Sequence, residues 1–118
     1  MKNPEFVTYE RPNGHNEFKE FLAQLPVKDR EKLVAVVLKT QQYGLQVATS
    51  QRWVKSLGDG LFELRSEFSG NIQRAIYFHA EANQYVITHG FTKKTQKTPQ
   101  AQIQHAKALR TEFRDKEE

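Results

Sequence analysis

The chain contains no cysteine, so disulfide staples and thiolate metal sites are excluded, a composition suited to a reducing compartment. No apolar run approaches the length of a membrane span, and the first residues hold no apolar core of signal-peptide length. The expectation is a cytoplasmic protein with no membrane role. No His-x₃-His spacing or carboxylate cluster is present, so no metal or other cofactor is expected. Apolar residues are few, at 37%, but eight Phe, four Tyr and one Trp argue against disorder. The most telling absence is local: from Ala82 to Thr111 there is no Asp or Glu. Lys93, Lys94, Lys97, Lys107 and Arg110 all fall within that stretch. The net charge of +4 therefore has a place as well as a sign, and the lysine run just before Pro99 suits phosphate.

At 118 residues the chain fits one domain, residues 1–118, with a charged tail from about Arg114 to Glu118. Glu5 to Tyr9 reads as a short first strand. Asn16 caps a helix in which Phe18, Phe21, Leu22 and Leu25 share one face. Pro26 ends it and opens a second, with Leu33, Val36, Val37, Thr40 and, at its end, Tyr43 as candidate inward positions and Gly44 as its stop. These two form an αα-hairpin. Leu45 to Ser56 is poorly patterned and reads as loop, anchored by Trp53. Gly58-Asp59-Gly60, Ser69-Gly70-Asn71 and Glu81–Gln84 are turn signals. Between and after them lie three strands, Leu61–Phe68, Ile72–His79 and Tyr85–Phe91, which the tight turns make an antiparallel meander. Thr98-Pro99 starts a last helix with Ile103, Ala106, Leu109 and Phe113 near one face. The order β-α-α-β-β-β-α, with helices segregated from a mostly antiparallel sheet, is an α+β domain.

Three segments carry a family resemblance. Lys55-Ser56-Leu57-Gly58-Asp59-Gly60-Leu61-Phe62-Glu63-Leu64-Arg65 resembles the "L-x-D-G-L-[YF]-E-L-R" signature of phage-derived Gp49-like, HigB-type toxins of the RelE toxin–antitoxin superfamily. Gln73-Arg74-Ala75-Ile76-Tyr77-Phe78 is similar to that family's "Y-R-x-x-Y" strand. His89-Gly90-Phe91-Thr92-Lys93-Lys94, continuing to Pro99, is similar to its "H-G-F-x-K-K-x-x-K-T-P" segment. The resemblance implies a RelE-like fold and a toxin that enters the ribosomal A site and cuts mRNA. It also implies metal-independent chemistry with the ribose 2′-OH as nucleophile, and silencing by a cognate antitoxin, often a helix-turn-helix protein.

Such cleavage needs cations on the phosphate and a proton acceptor for the 2′-OH. The superfamily's strand arginine corresponds to Arg74, which is assigned to the scissile phosphate. Lys93 and Lys94 hold the same or adjacent phosphates, and Arg65 supports them. His89 is the candidate base, with nearby lysines expected to keep it neutral. Lys97, Lys107 and Arg110 are candidate phosphate contacts, the last two equally open to an acidic partner. Tyr77 and Phe91 could stack a nucleobase, although a strand aromatic is more simply core. His105 lies on the helix that borders the cleft in relatives, while His15 and His79 read as surface residues. Glu63 is unfavourable near a phosphate unless it pairs with Arg65 or acts as a base. The chain departs from better-known RelE members in lacking their lysines on the first meander strand and their tyrosine early in the last helix. A non-catalytic RNA- or protein-binding module of the same fold is the alternative.

Overall fold

A computed structural model describes residues 3–95 and 97–117. In chain order the elements are β1 (Glu5–Thr8), α1 (Glu17–Gln24), α2 (Val27–Tyr43), α3 (Leu45–Ser50), β2 (Val54–Gly58), β3 (Leu61–Phe68), β4 (Asn71–Glu81), β5 (Gln84–Lys93) and α4 (Gln100–Glu117). The five strands form one sheet in the order β1-β5-β4-β3-β2. Only β1 is parallel to its neighbour. The α+β class, the meander, the N-terminal hairpin and the last helix all stand as expected.

Local chemistry explains the first helices. Asn16 Oδ1 accepts the Lys19 amide at 3.1 Å, filling one of the open donors at the start of α1. Pro26 precedes α2, and the Gly44 amide closes it on the Thr40 carbonyl. Leu33, Val36 and Thr40 face inward, joined unexpectedly by Asp29, which is 3% exposed, whereas Tyr43, expected inward, lies at the helix end and is 54% exposed.

The supposed loop Leu45–Ser56 holds two elements instead. α3 is six residues long, too short to show a helical repeat, and buries only Ala48. β2 is an edge strand held by pairing with β3 and broken by a bulge between Ser56 and Gly58. Its strand character comes from pairing with β3 across the next turn, not from its own pattern. The two-residue Asp59-Gly60 turn that follows has φ of 53° and 77°, a left-handed pair that glycine tolerates well. The charged end also differs from expectation. α4 runs on to Glu117, with Arg114 and Lys116 in its last turn, where cations suit the helix dipole. Glu118 lies outside the described residues.

Helices cover both faces of the sheet. α1 and α2 pack on one, burying Phe18, Leu33, Leu64 and Tyr77, while α4 packs on the other over Leu61, Ile76 and Phe78. The first layer is tight at Gly90: a Cβ there would lie 2.4 Å from Phe21 Cδ2. Gly90→Ala is expected to cost about 1–3 kcal/mol through this overlap, because a ring edge cannot bend aside. A lower denaturant midpoint at unchanged slope checks it. An unchanged midpoint would mean that α1 is loosely seated.

Candidate active site

Strand register gathers the candidate residues. Arg65 on β3 sits directly opposite Arg74 on β4, which sits opposite Phe91 on β5. Glu63 pairs with Ile76, and Ile76 with His89. Side chains of directly paired residues share a face, and alternate residues along a strand do too. Glu63, Arg65, Arg74, His89, Phe91 and Lys93 therefore lie on the α4 face.

Glu63 is the hub. It is fully buried, and its Oε1 lies 3.5 Å from Arg74 Nε, 3.9 Å from Lys93 Nζ and 4.0 Å from Arg65 Nε. None of these approaches is a hydrogen bond: among the described residues, Glu63 Oε1, Arg65 Nε and Arg74 Nε have no partner. Glu63 Oε2 accepts a 2.7 Å bond from the Thr98 hydroxyl, which pins the lysine loop to the sheet. Arg74 Nη1 donates to the carbonyl oxygens of Gln73 and Ser66. Three cations thus share one carboxylate, an excess of two positive charges in a nearly dry site. Burial is the main influence lowering the pKa of both Arg74 and Lys93, with Glu63 opposing it and neighbouring cations adding to it. The cluster is short of negative charge and has unused donors, so an entering phosphate would relieve both deficits.

His89 is 4% exposed. Its Nδ1 lies 2.9 Å from Thr88 Oγ1 and its Nε2 2.9 Å from Gln102 Oε1 on α4. Its pKa is lowered, first by burial, with Gln102 opposing and His105 contributing. Burial, not the lysines, keeps this imidazole neutral. The unfolded chain takes up a proton near the ordinary value of 6.5, whereas folded His89 resists. Stability should therefore fall as pH drops below about 6.5 and gain nothing from this group above it. His89→Gln is expected to flatten denaturation midpoints between about pH 5 and pH 7. An equally steep profile in the variant would assign the slope to other groups.

The remaining candidates are dispersed. Lys94 and Lys97 are exposed on the loop after β5. Phe91 is 7% exposed and packs in the core beneath α4, so it offers no free ring. Tyr77 is 1% exposed on the opposite face, stacked on Phe62 at 5.4 Å, and burial raises its pKa. A base-stacking role for Tyr77 does not fit that position. Lys107 Nζ binds Asp59 Oδ2 at 2.8 Å and Arg110 donates to the Asp59 carbonyl. Both tie α4 to the β2–β3 turn, away from the cation cluster. His105 Nε2 lies 2.7 Å from Glu17 Oε1, clasping α4 to α1.

Two participants escaped the sequence reading. Lys55 is exposed on β2 directly opposite Glu63 and adds to the positive field at Lys93. It lies on β2, whose residues carry no strand pattern of their own, and it places a lysine beside the first meander strand after all. Thr98 was read only as a helix start. Among the described residues, no three His, Asp or Glu side chains converge as a metal site requires.

The family model described as "Phage derived protein Gp49-like (DUF891)" matches residues 20–111, more than three quarters of the chain. The chain belongs to this Gp49-like family. The matched span includes β2 to β5, hence every member of the Glu63 cluster. The family is associated with the RelE toxin superfamily, which makes this a toxin-like, phage-derived module. No curated protein matches the chain. Among the described residues, no helix is long and apolar enough to cross a membrane.

Proposed function

We propose that this Gp49-like protein is a HigB-type toxin of a type II toxin–antitoxin system, with residues 1–118 acting as one ribosome-dependent mRNA endoribonuclease domain. The observation that carries this is the socket of Arg65, Arg74 and Lys93 around Glu63, which holds more cations than its one carboxylate can satisfy. The scissile phosphate enters on the Arg65 and Lys55 side, the more open rim. The ribose 2′-oxygen attacks the adjacent phosphorus as its proton passes to a base, and the P–O5′ bond breaks as an acid delivers a proton to the leaving 5′-oxygen. The products are a 2′,3′-cyclic phosphate and a 5′-hydroxyl. Arg74, Lys93 and Arg65 offset the charge that grows on the phosphorane, while Lys94 and Lys97 hold flanking phosphates.

Acid–base work is where the ribosome enters. His89 is neutral and suited to accept a proton, but Gln102 caps its Nε2. It acts once the first turn of α4 yields on docking in the A site. Free in solution, the chain presents charge without a complete acid–base pair, and this supports ribosome dependence. The same burial favours the second reading, a non-catalytic binding module of this fold.

Controlled expression in bacteria separates the two. Growth and amino-acid incorporation are expected to stop within minutes and to resume when a cognate antitoxin, of helix-turn-helix type, is supplied. Normal growth at verified soluble expression would contradict the toxin reading.

A further inference from the structure

The helical face opposite α4 carries a second surface that the cleavage chemistry does not use. From Lys32 to Trp53 there is no Asp or Glu, while Lys32, Lys39 and Arg52 fall there. Lys32, Ala35, Lys39 and Tyr43 recur at helical spacing along α2 and form one stripe. The stripe leads into a groove of about 640 Å³ between the α2–α3 junction and the edge of β5, with Tyr43, Leu45, Val47 and Tyr85 among its walls. Among the described residues, no charged side chain lines the groove. Apolar side chains stand unusually open here: Tyr43 is 54% exposed and Val47 40%. Trp53 anchors the patch, with its ring 6.2 Å from Tyr43 and Lys39 Nζ 4.4 Å above it.

We propose that this surface docks an acidic amphipathic helix of a partner protein. The apolar face of that helix fills the groove over Tyr43 and Val47, and its carboxylates meet Lys32, Lys39 and Arg52. Charge decides the occupant: from Lys32 to Arg52 the α2–α3 flank offers cations and no acid, and the exposed Glu31 at its far end is paired with Lys28. Exposed Glu5 and Glu81 lie near the β1–β5 wall and repel an inserted acid from that side, which fixes the orientation of the helix. Helix-in-groove recognition uses this combination of an apolar trough and a charged bank. Tyr43 and Trp53 could stack a base, but the groove itself offers a phosphate no cation among the described residues, which favours the apolar face of a helix over RNA. The partner of interest is the antitoxin, so its identity rests on the proposed function, while the surface does not. Docking here leaves the Glu63 socket uncovered, and inhibition then works by blocking entry to the ribosome.

Trp53 is the only tryptophan in the chain, which makes its emission a reporter of this patch. The full-length protein is titrated with a synthetic helical peptide of about 18 residues, ~27 Å long. It carries Glu on one face and Leu and Val on the other, and contains no Trp. A scrambled peptide of the same composition and a short single-stranded RNA are titrated alongside. The amphipathic peptide is expected to shift Trp53 emission saturably, and more weakly as salt is raised. Lys39→Glu and Val47→Asp, each folded by circular dichroism, are each expected to weaken it about tenfold or more. An equal response to the scrambled peptide, no response, or unchanged affinity in both variants overturns the proposal. A stronger response to RNA overturns it in favour of a nucleic-acid surface. None of these readouts depends on cleavage: a chain that arrests growth but ignores the peptide refutes the docking surface alone. One that binds the peptide without arresting growth refutes the toxin reading alone.

Discussion

Arg74→Lys is expected to keep the fold and lose about 10²–10³ in cleavage rate, whereas Arg74→Ala loses both activity and stability. The lysine retains a charge near Glu63 but not the planar fork, and a single ammonium cannot serve Glu63, two backbone carbonyls and a phosphate together. Alanine removes the charge outright. Because Arg74 is only 5% exposed, its loss also strips a partner from a fully buried carboxylate. Lys94→Ala is the contrast. Lys94 is exposed, so its loss should weaken growth arrest with thermal melts near wild type. The check is growth arrest and single-turnover cleavage beside thermal denaturation for the three variants. Full activity in Arg74→Lys and Lys94→Ala would move the active site away from this cluster.

Glu63→Ala is expected to be the most destabilising change at the site, on the order of 3–5 kcal/mol. It leaves Arg65, Arg74 and Lys93 facing one another with no anion between them and deprives the Thr98 hydroxyl of its acceptor. Arg65 and Arg74 are directly opposed across the ladder, where like charges repel. Glu63→Gln should cost less, because its amide oxygen still accepts from Thr98. Added phosphate or an RNA oligonucleotide should restore part of the stability lost in Glu63→Gln, since anion binding to the folded state is linked to its stability. Urea denaturation of the two variants with and without phosphate measures this. Wild-type stability in Glu63→Ala would contradict the view that one carboxylate holds the cations together.

Much of this was legible in the sequence. The helix spacing of Phe18, Phe21, Leu22 and Leu25, the Asn16 cap and the paired turn signals gave α1, α2 and the meander, because each is a local signal. β2 and α3 were not legible, since a bulged edge strand shows no clean alternation and a six-residue helix is too short to show a repeat. The register that sets Arg65 opposite Arg74 follows from the Ser69-Gly70 turn, so the meeting of those arginines could be anticipated. The dryness of the site could not. Arg74 and Lys93 look solvent-facing in a linear reading but are only 5% and 6% exposed, beside the fully buried Glu63. The dual duty of Lys107 and Arg110 at Asp59 was hidden too, being a contact across about fifty residues of chain. Tyr77 shows the limit of motif transfer: the strand position matched, but its face is the hydrophobic one.

The central claim is that the Arg65–Arg74–Lys93 socket cuts mRNA only on the ribosome. Purified protein is added to ribosomes carrying a defined mRNA and, separately, to the same mRNA alone, and the new RNA ends are mapped. The expected result is a cut at the A-site codon, with a 2′,3′-cyclic phosphate on the upstream fragment, absent without ribosomes and absent with Arg74→Lys. No cut on ribosomes, or an equal rate on naked mRNA, would contradict it.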